Sequence, residues 1–190
     1  MSLTLPTLLT WLRIILIPLF VGVFYFDHGW VSMANQNLVA TVIFVVAAVT
    51  DWLDGWLARK LNQTSAFGAF LDPVADKLMV AAALIILVQL NRVDAIIALI
   101  MIGREIAISA LREWMAQLGE SKSIAVSFLG KLKTATQMVA IPLLLYHERI
   151  GAFDAQQAGN WLIYIAAALT LISMAYYLKA AMPAIGKKGR

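Results

Sequence analysis

Six apolar stretches, near residues 8–26, 38–57, 72–90, 93–115, 133–146 and 161–178, recur along the chain without the period-two alternation of strands. Such runs predict six helices and leave no support for a β-barrel, whose segments alternate between lipid-facing and lumen-facing side chains. Hydrophobic residues make up 62% of the 190 residues and charged ones 14%, with a mean hydropathy of +0.81. A soluble domain closes one core with far less apolar surface, so a lipid bilayer is the implied solvent. The expected fold class is therefore all-α, a polytopic membrane protein with six transmembrane helices. No composition shift, internal repeat or low-complexity tract divides the sequence, so residues 1–190 read as a single transmembrane domain. No basic segment precedes the first apolar run, and no removable signal peptide is expected.

A helix needs about 20 residues to cross the hydrocarbon core, and most of the uncharged stretches are shorter than that. Residues 38–50 end at Asp51, 78–90 follow Asp76 and Lys77, and 95–103 stop at Arg104 and Glu105. Residues 134–146 follow Lys131 and Lys133, residues 14–26 follow Arg13, and only 161–178 is long and free of charge. Ionisable residues must therefore be drawn into the spans, where charge is costly and usually marks function. With the N-terminus in the cytoplasm, the loops near His28, Asn91 and Glu148 face outward and hold only Arg92 and Arg149. The other thirteen of the 15 basic residues lie inward, as the positive-inside rule favours. Residues 121–127 then form an inner loop and 151–159 an outer one. The charges at the ends of spans two, three, four and five converge on one cytoplasmic cavity.

Several chemistries are excluded. With no Cys there is no disulfide, thiolate nucleophile or Cys-bound metal. The pI near 9.5 comes without a basic stripe interleaved with aromatics, so no nucleic-acid partner is expected. No serine elbow or Walker loop is present. His28 and His147 fall in outer loops, far from the cavity, and the Trp and Met residues read as lipid belt and helix packing.

Four carboxylates remain: Asp51, Asp54, Asp72 and Asp76. On helices their spacings of three and four put each pair on one face. Two such faces make an all-oxygen cage, which suits two divalent cations, Mg²⁺ or Mn²⁺, clamping a phosphoryl group during displacement. Gly55, Ala58 and Gly68 remove bulk where a nucleotide or diphosphate would approach the backbone, and Arg59 adds a fixed cation. Two plainer readings stand beside this. Asp51 and Asp54 could mark a helix end with Asp54-Gly55 as a turn, and Pro73 could open a helix or kink one.

Asp51, Asp54, Gly55, Ala58, Arg59, Gly68, Asp72 and Asp76 fill every fixed position of Asp-x2-Asp-Gly-x2-Ala-Arg-x8-Gly-x3-Asp-x3-Asp, which resembles the signature of the CDP-alcohol phosphotransferases. The resemblance implies a six-helix homodimer, with two divalent metals held by the aspartates and the cytidine diphosphate seated over the glycines and Ala58. It also implies that Asp76 is the general base for the acceptor hydroxyl, while Asp51, Asp54 and Asp72 hold metal. Residues 5–13, 103–106, 110–115 and 130–134 are similar to a bacterial branch of that family. This implies transfer of the phosphatidyl group of CDP-diacylglycerol to sn-glycerol 3-phosphate, with CMP released, in the bacterial cytoplasmic (inner) membrane with the site facing the cytoplasm.

An acceptor bearing a phosphate needs cations, and Arg104, Arg112, Lys131 and Lys133 are the candidates. Interfacial snorkelling is the competing account of Arg112 and Lys133, and an ion pair with Glu105 that of Arg104. Thr10 and Arg13 either line the CDP-lipid side or anchor span one at the interface. Two alternatives stay open: another acceptor such as inositol phosphate or serine, and a divalent-cation transporter, which would have no need of small residues beside its acids.

Overall fold

In the computed structural model, which describes residues 5–25, 31–61, 66–117, 119 and 128–188, all six helices form. They are α1 (Leu5–Gly22), α2 (Met33–Leu61), α3 (Ala66–Gln89), α4 (Ala95–Gln117), α5 (Phe128–Tyr146) and α6 (Ala155–Lys188). A 3₁₀ turn at Val23–Tyr25 follows α1. Among the described residues the fold is all-α apart from a pair of two-residue strands. Among the same residues, three segments are long and apolar enough to cross a membrane: Leu8–Tyr25, Met33–Asp54 and Ala155–Met182.

Two readings left open by the sequence are settled here. α2 runs on through Asp51, Asp54 and Gly55 to Leu61, so neither a helix end nor a turn falls at the first carboxylate pair. Pro73 lies inside α3 rather than at its start, so Asp72 and Asp76 stand one turn apart on a continuous helix. The expected loop at 151–159 is corrected. β1 (Arg149–Ile150) and β2 (Phe153–Asp154) pair antiparallel around Gly151, whose φ of 60° suits a tight turn, and α6 already begins at Ala155. Asp154 starts that helix early because its Oδ1 accepts the Gln157 amide at 2.9 Å, filling one of the donors a helix N-terminus leaves open.

The most extensive packing is α5 along α6; α1 lies against α2 and α3, α2 against α5, and α4 against α6 and α3. The interfaces combine large side chains such as Phe20, Phe44, Leu84 and Leu144 with small ones that let the backbones approach. Ala40, Ala47, Ala75, Ala83, Ala140 and Ala166 are all buried, whereas Val42, Val46, Ile85, Leu99, Ile106 and Ile165 are exposed. Such a distribution suits a lipid solvent, which gives helices no hydrophobic reason to hide large side chains and rewards close backbone approach. Gly159 is the tightest case: a Cβ built there would lie 2.8 Å from Leu144 Cγ. At the same end of the bundle, Arg92 donates to the carbonyls of Leu144 and Leu145 at 3.0 and 2.8 Å and to Asn37 Oδ1 at 2.8 Å. It thereby satisfies the open carbonyls at the end of α5 and ties them to α2.

Candidate active site

The carboxylates meet on α1. Thr10 and Arg13 are three residues apart and share a helix face, which is buried between α2 and α3. Arg13 Nη1 lies 2.5 Å from Asp51 Oδ1, and its Nη2 donates to Asp54 Oδ2. The Thr10 hydroxyl donates to Asp72 Oδ1. Thr10 and Arg13 are each 1% exposed, so neither serves as an interfacial anchor. Asp54 is buried with them, whereas the Asp51 side chain, 41% exposed, looks out of the bundle. Asp76 shares a pocket with Arg13, Phe44, Ala47, Met79 and Met138. The charges that act on it are Asp51, Arg13, Lys133 and Lys77.

The basic cluster adjoins on α4, α5 and α6. Lys133, buried on α5, is ion-paired with Glu105 Oε1, which also lies 3.6 Å from Arg104 Nη1. Arg104 Nη2 donates to Ser173 Oγ at 3.0 Å, and Arg112 Nη2 to the Tyr177 hydroxyl at 3.0 Å. Lys77 joins α3 to α4 through the Ser109 hydroxyl. Snorkelling therefore describes neither Arg112 nor Lys133, since both turn into the bundle. Lys131 does not join them. It is exposed, and two residues of helix set it about 200° around the axis from Lys133. Gly68 is buried on α3, while the side chains of Gly55, Ala58 and Arg59 lie outside the described residues.

Ser109, Ser173 and Tyr177 were not expected from sequence. The last two sit in the span read as free of charge. Their spacing from Thr170, three and then four residues, puts Thr170, Ser173 and Tyr177 on one face, a signal that would have pointed inward.

Among the described residues, no group of three or more Asp, Glu, His or Cys side chains is gathered as a metal cage. The donor chemistry nonetheless fits a hard divalent cation. Asp51 and Asp54 converge on a single positive group, the Arg13 guanidinium, which stands where a carboxylate pair would direct a cation.

A family model described as CDP-alcohol phosphatidyltransferase matches residues 3–172, including all four aspartates and the basic cluster through Ser173's neighbour Ile172. Proteins named CDP-diacylglycerol–glycerol-3-phosphate 3-phosphatidyltransferase are similar along almost the whole chain. That of Escherichia coli (strain K12) is 52% identical and that of Salmonella typhimurium (strain LT2) 51% identical, each over 95% of this chain and 96% of the relative. The Salmonella choleraesuis (strain SC-B67) protein is 50% identical over the same shares. A match of this length, carrying the paired aspartates on α2 and α3 in the family's pattern, makes the chain a member of the CDP-alcohol phosphatidyltransferase family.

Proposed function

We infer that the chain transfers the phosphatidyl group of CDP-diacylglycerol to sn-glycerol 3-phosphate, giving phosphatidylglycerophosphate and CMP. The observation that carries this reading is the position of Asp76, which shares a pocket with Arg13 and lies where the charges of Asp51, Arg13, Lys133 and Lys77 act on it. A carboxylate there can take a proton from a hydroxyl that the basic cluster holds by its phosphate. The name shared by relatives about half identical over nearly the whole chain supports the same donor and acceptor.

In the reaction, the acceptor's hydroxyl oxygen forms a bond to the β-phosphorus of the donor as its proton passes to the Asp76 carboxylate. The anhydride bond to the α-phosphate side breaks, and its electron pair leaves with CMP. Arg104, Arg112 and Lys133 orient the acceptor phosphate, Arg through a planar fork and Lys as a point charge. Asp51, Asp54, Asp72 and Asp76 would hold two divalent cations, Mg²⁺ or Mn²⁺, which when bound supply charge neutralisation for the diphosphate. Thr10 and Arg13 hold Asp72, Asp51 and Asp54 in place, while Gly55, Ala58 and Gly68 would leave room for the nucleotide and Arg59 would supply a fixed cation.

The same reading extends to the membrane. We propose that α3, α4 and α5 cross it with the other three, since Ile85, Leu99, Ile106 and Val139 present bulky apolar side chains outward along them. The site then faces the cytoplasm of a bacterial inner membrane, with residues 1–190 forming one domain. A homodimer is part of the proposal and is checked by mass measurement in detergent. A cation transporter is set aside because the chain belongs to a family of transferases.

The test is CMP release by purified protein with CDP-diacylglycerol and Mg²⁺, with and without glycerol 3-phosphate, inositol phosphate or serine. Release is expected with glycerol 3-phosphate, to stop with EDTA, and to fall about a hundredfold or more in Asp76→Asn. Release with none of the acceptors would sink the reading, and release with inositol phosphate or serine alone would move the assignment within the family.

A further inference from the structure

Arg104 and Arg112 are two turns apart on α4, and both lie against the same aromatic ring. Their guanidinium carbons sit 5.6 and 5.1 Å from the centre of Tyr177 on α6. Tyr177 is fully buried, as is Ser173 one turn before it. Its hydroxyl accepts from Arg112, while Ser173 accepts from Arg104. One face of α6 thus fixes two like charges that act on each other.

Such an arrangement costs free energy unless an anion completes it. Nearby, Lys133 and Arg104 share the carboxylate of Glu105, and even with Asp76 acting on Lys133 the three cations outnumber the carboxylates. The Nε atoms of Arg104 and Arg112 are buried and have no hydrogen-bond partner among the described residues. Buried donors without acceptors beside surplus positive charge are what a phosphate dianion fills, with its several acceptor oxygens. The negative ring face of Tyr177 holds both cations without neutralising either, leaving their charge for the ligand. A carboxylate in the same place would pair with them and compete with the phosphate. Tyr also reaches its position with two torsions, so little freedom is lost in holding it there.

We propose that Tyr177, with Ser173, is a positioning residue that fixes the Arg104 and Arg112 guanidiniums for a phosphate monoester, and so makes the enzyme prefer a phosphorylated acceptor. This rests on the reading that these arginines bind the phosphate of the acceptor. Tyr177 itself does not touch the substrate.

Steady-state kinetics on purified Tyr177→Phe, Ser173→Ala, Tyr177→Leu and Arg112→Gln, each beside the parent protein, test this. Removing a hydrogen bond to a charged group should raise the KM for glycerol 3-phosphate about tenfold in Tyr177→Phe, and more in Tyr177→Leu. The KM for CDP-diacylglycerol should stay as in the parent protein. Tyr177→Phe keeps the ring and its packing, so it serves where Tyr177→Leu fails to fold. An unchanged KM for glycerol 3-phosphate in both Tyr177→Phe and Ser173→Ala, or an equal rise for both substrates, overturns the proposal as a purely structural effect. If Arg112→Gln raises the acceptor KM while neither Tyr177→Phe nor Ser173→Ala does, this inference alone fails. If Arg112→Gln also leaves it unchanged, the acceptor-phosphate reading fails and takes the inference with it.

Discussion

Arg13 carries more of the site than any other single side chain. It is a guanidinium buried in a membrane helix, with Asp51 on one nitrogen and Asp54 on another. Truncating it leaves the Asp54 carboxylate buried without that partner, and breaking a buried pair in this way costs about 3–5 kcal/mol. Arg13→Ala should therefore lower the thermal unfolding midpoint in detergent, and Mg²⁺ should raise that midpoint more in the variant than in the parent protein. Equal response to Mg²⁺ in both would mean that the aspartates are not the cation's ligands. The carboxylates were legible in the sequence because an acid in an apolar helix is expensive and so conspicuous. Arg13 was legible as a charge but not as their partner, since it meets Asp54 across 41 residues of chain. Ser173 and Tyr177 were missed for a related reason: neutral hydroxyls cross a membrane cheaply, and their role depends on which helix packs beside them.

At the scale of elements, the connection between α5 and α6 is where chain geometry and chemistry are most tightly joined. Gly159 brings α6 onto Leu144, with a hypothetical Cβ 2.8 Å from Cγ and 3.2 Å from the Leu144 amide nitrogen. Gly159→Leu should overpack this contact and cost about 1–3 kcal/mol. Leu144→Ala in the same chain should recover part of the loss, a coupling visible in a double-mutant cycle of unfolding midpoints. Simple additivity would show that the two helices do not meet there. The sequence places the glycine in an outer loop between two spans, and the Asp154 cap shows that the helix has already begun. That carboxyl is held below its ordinary value of 3.8, chiefly by the Gln157 amide and further by Arg149. A group whose pKa is lower folded than unfolded stabilises the fold above its unfolded value and loses that contribution as acid protonates it. The first turn of α6 should thus loosen only below about pH 4. Protection of the Gln157 amide from hydrogen exchange, relative to its intrinsic rate, should fall there in the parent protein and be lost at every pH in Asp154→Ala, which has no acceptor for it; a flat profile in the parent would deny the cap.

For the whole molecule, the order of six helices was legible from apolar runs, but the depth of each helix in the bilayer was not. Among the described residues three helices are long and apolar enough to span by composition, whereas α3, α4 and α5 carry their charges partway along and depend on neighbours to bury them. Lys133 and Arg104 illustrate this, each being buried only because Glu105 and Ser173 stand opposite. If all six cross, Glu148 and Lys187 must lie on opposite sides, because Glu148 precedes α6 and Lys187 stands at its far end. The chain has no cysteine, so single cysteines can be placed without background. Glu148→Cys should react with a membrane-impermeant maleimide on intact cells, and Lys187→Cys only after the membrane is opened. The aspartates of α2 and α3 would then lie at the same face as Lys187, within reach of a soluble acceptor. Labelling in the reverse order would put that site outside and deny it cytoplasmic glycerol 3-phosphate. Labelling of both positions from outside would show that α6 does not cross, and the six-span topology would fall with it.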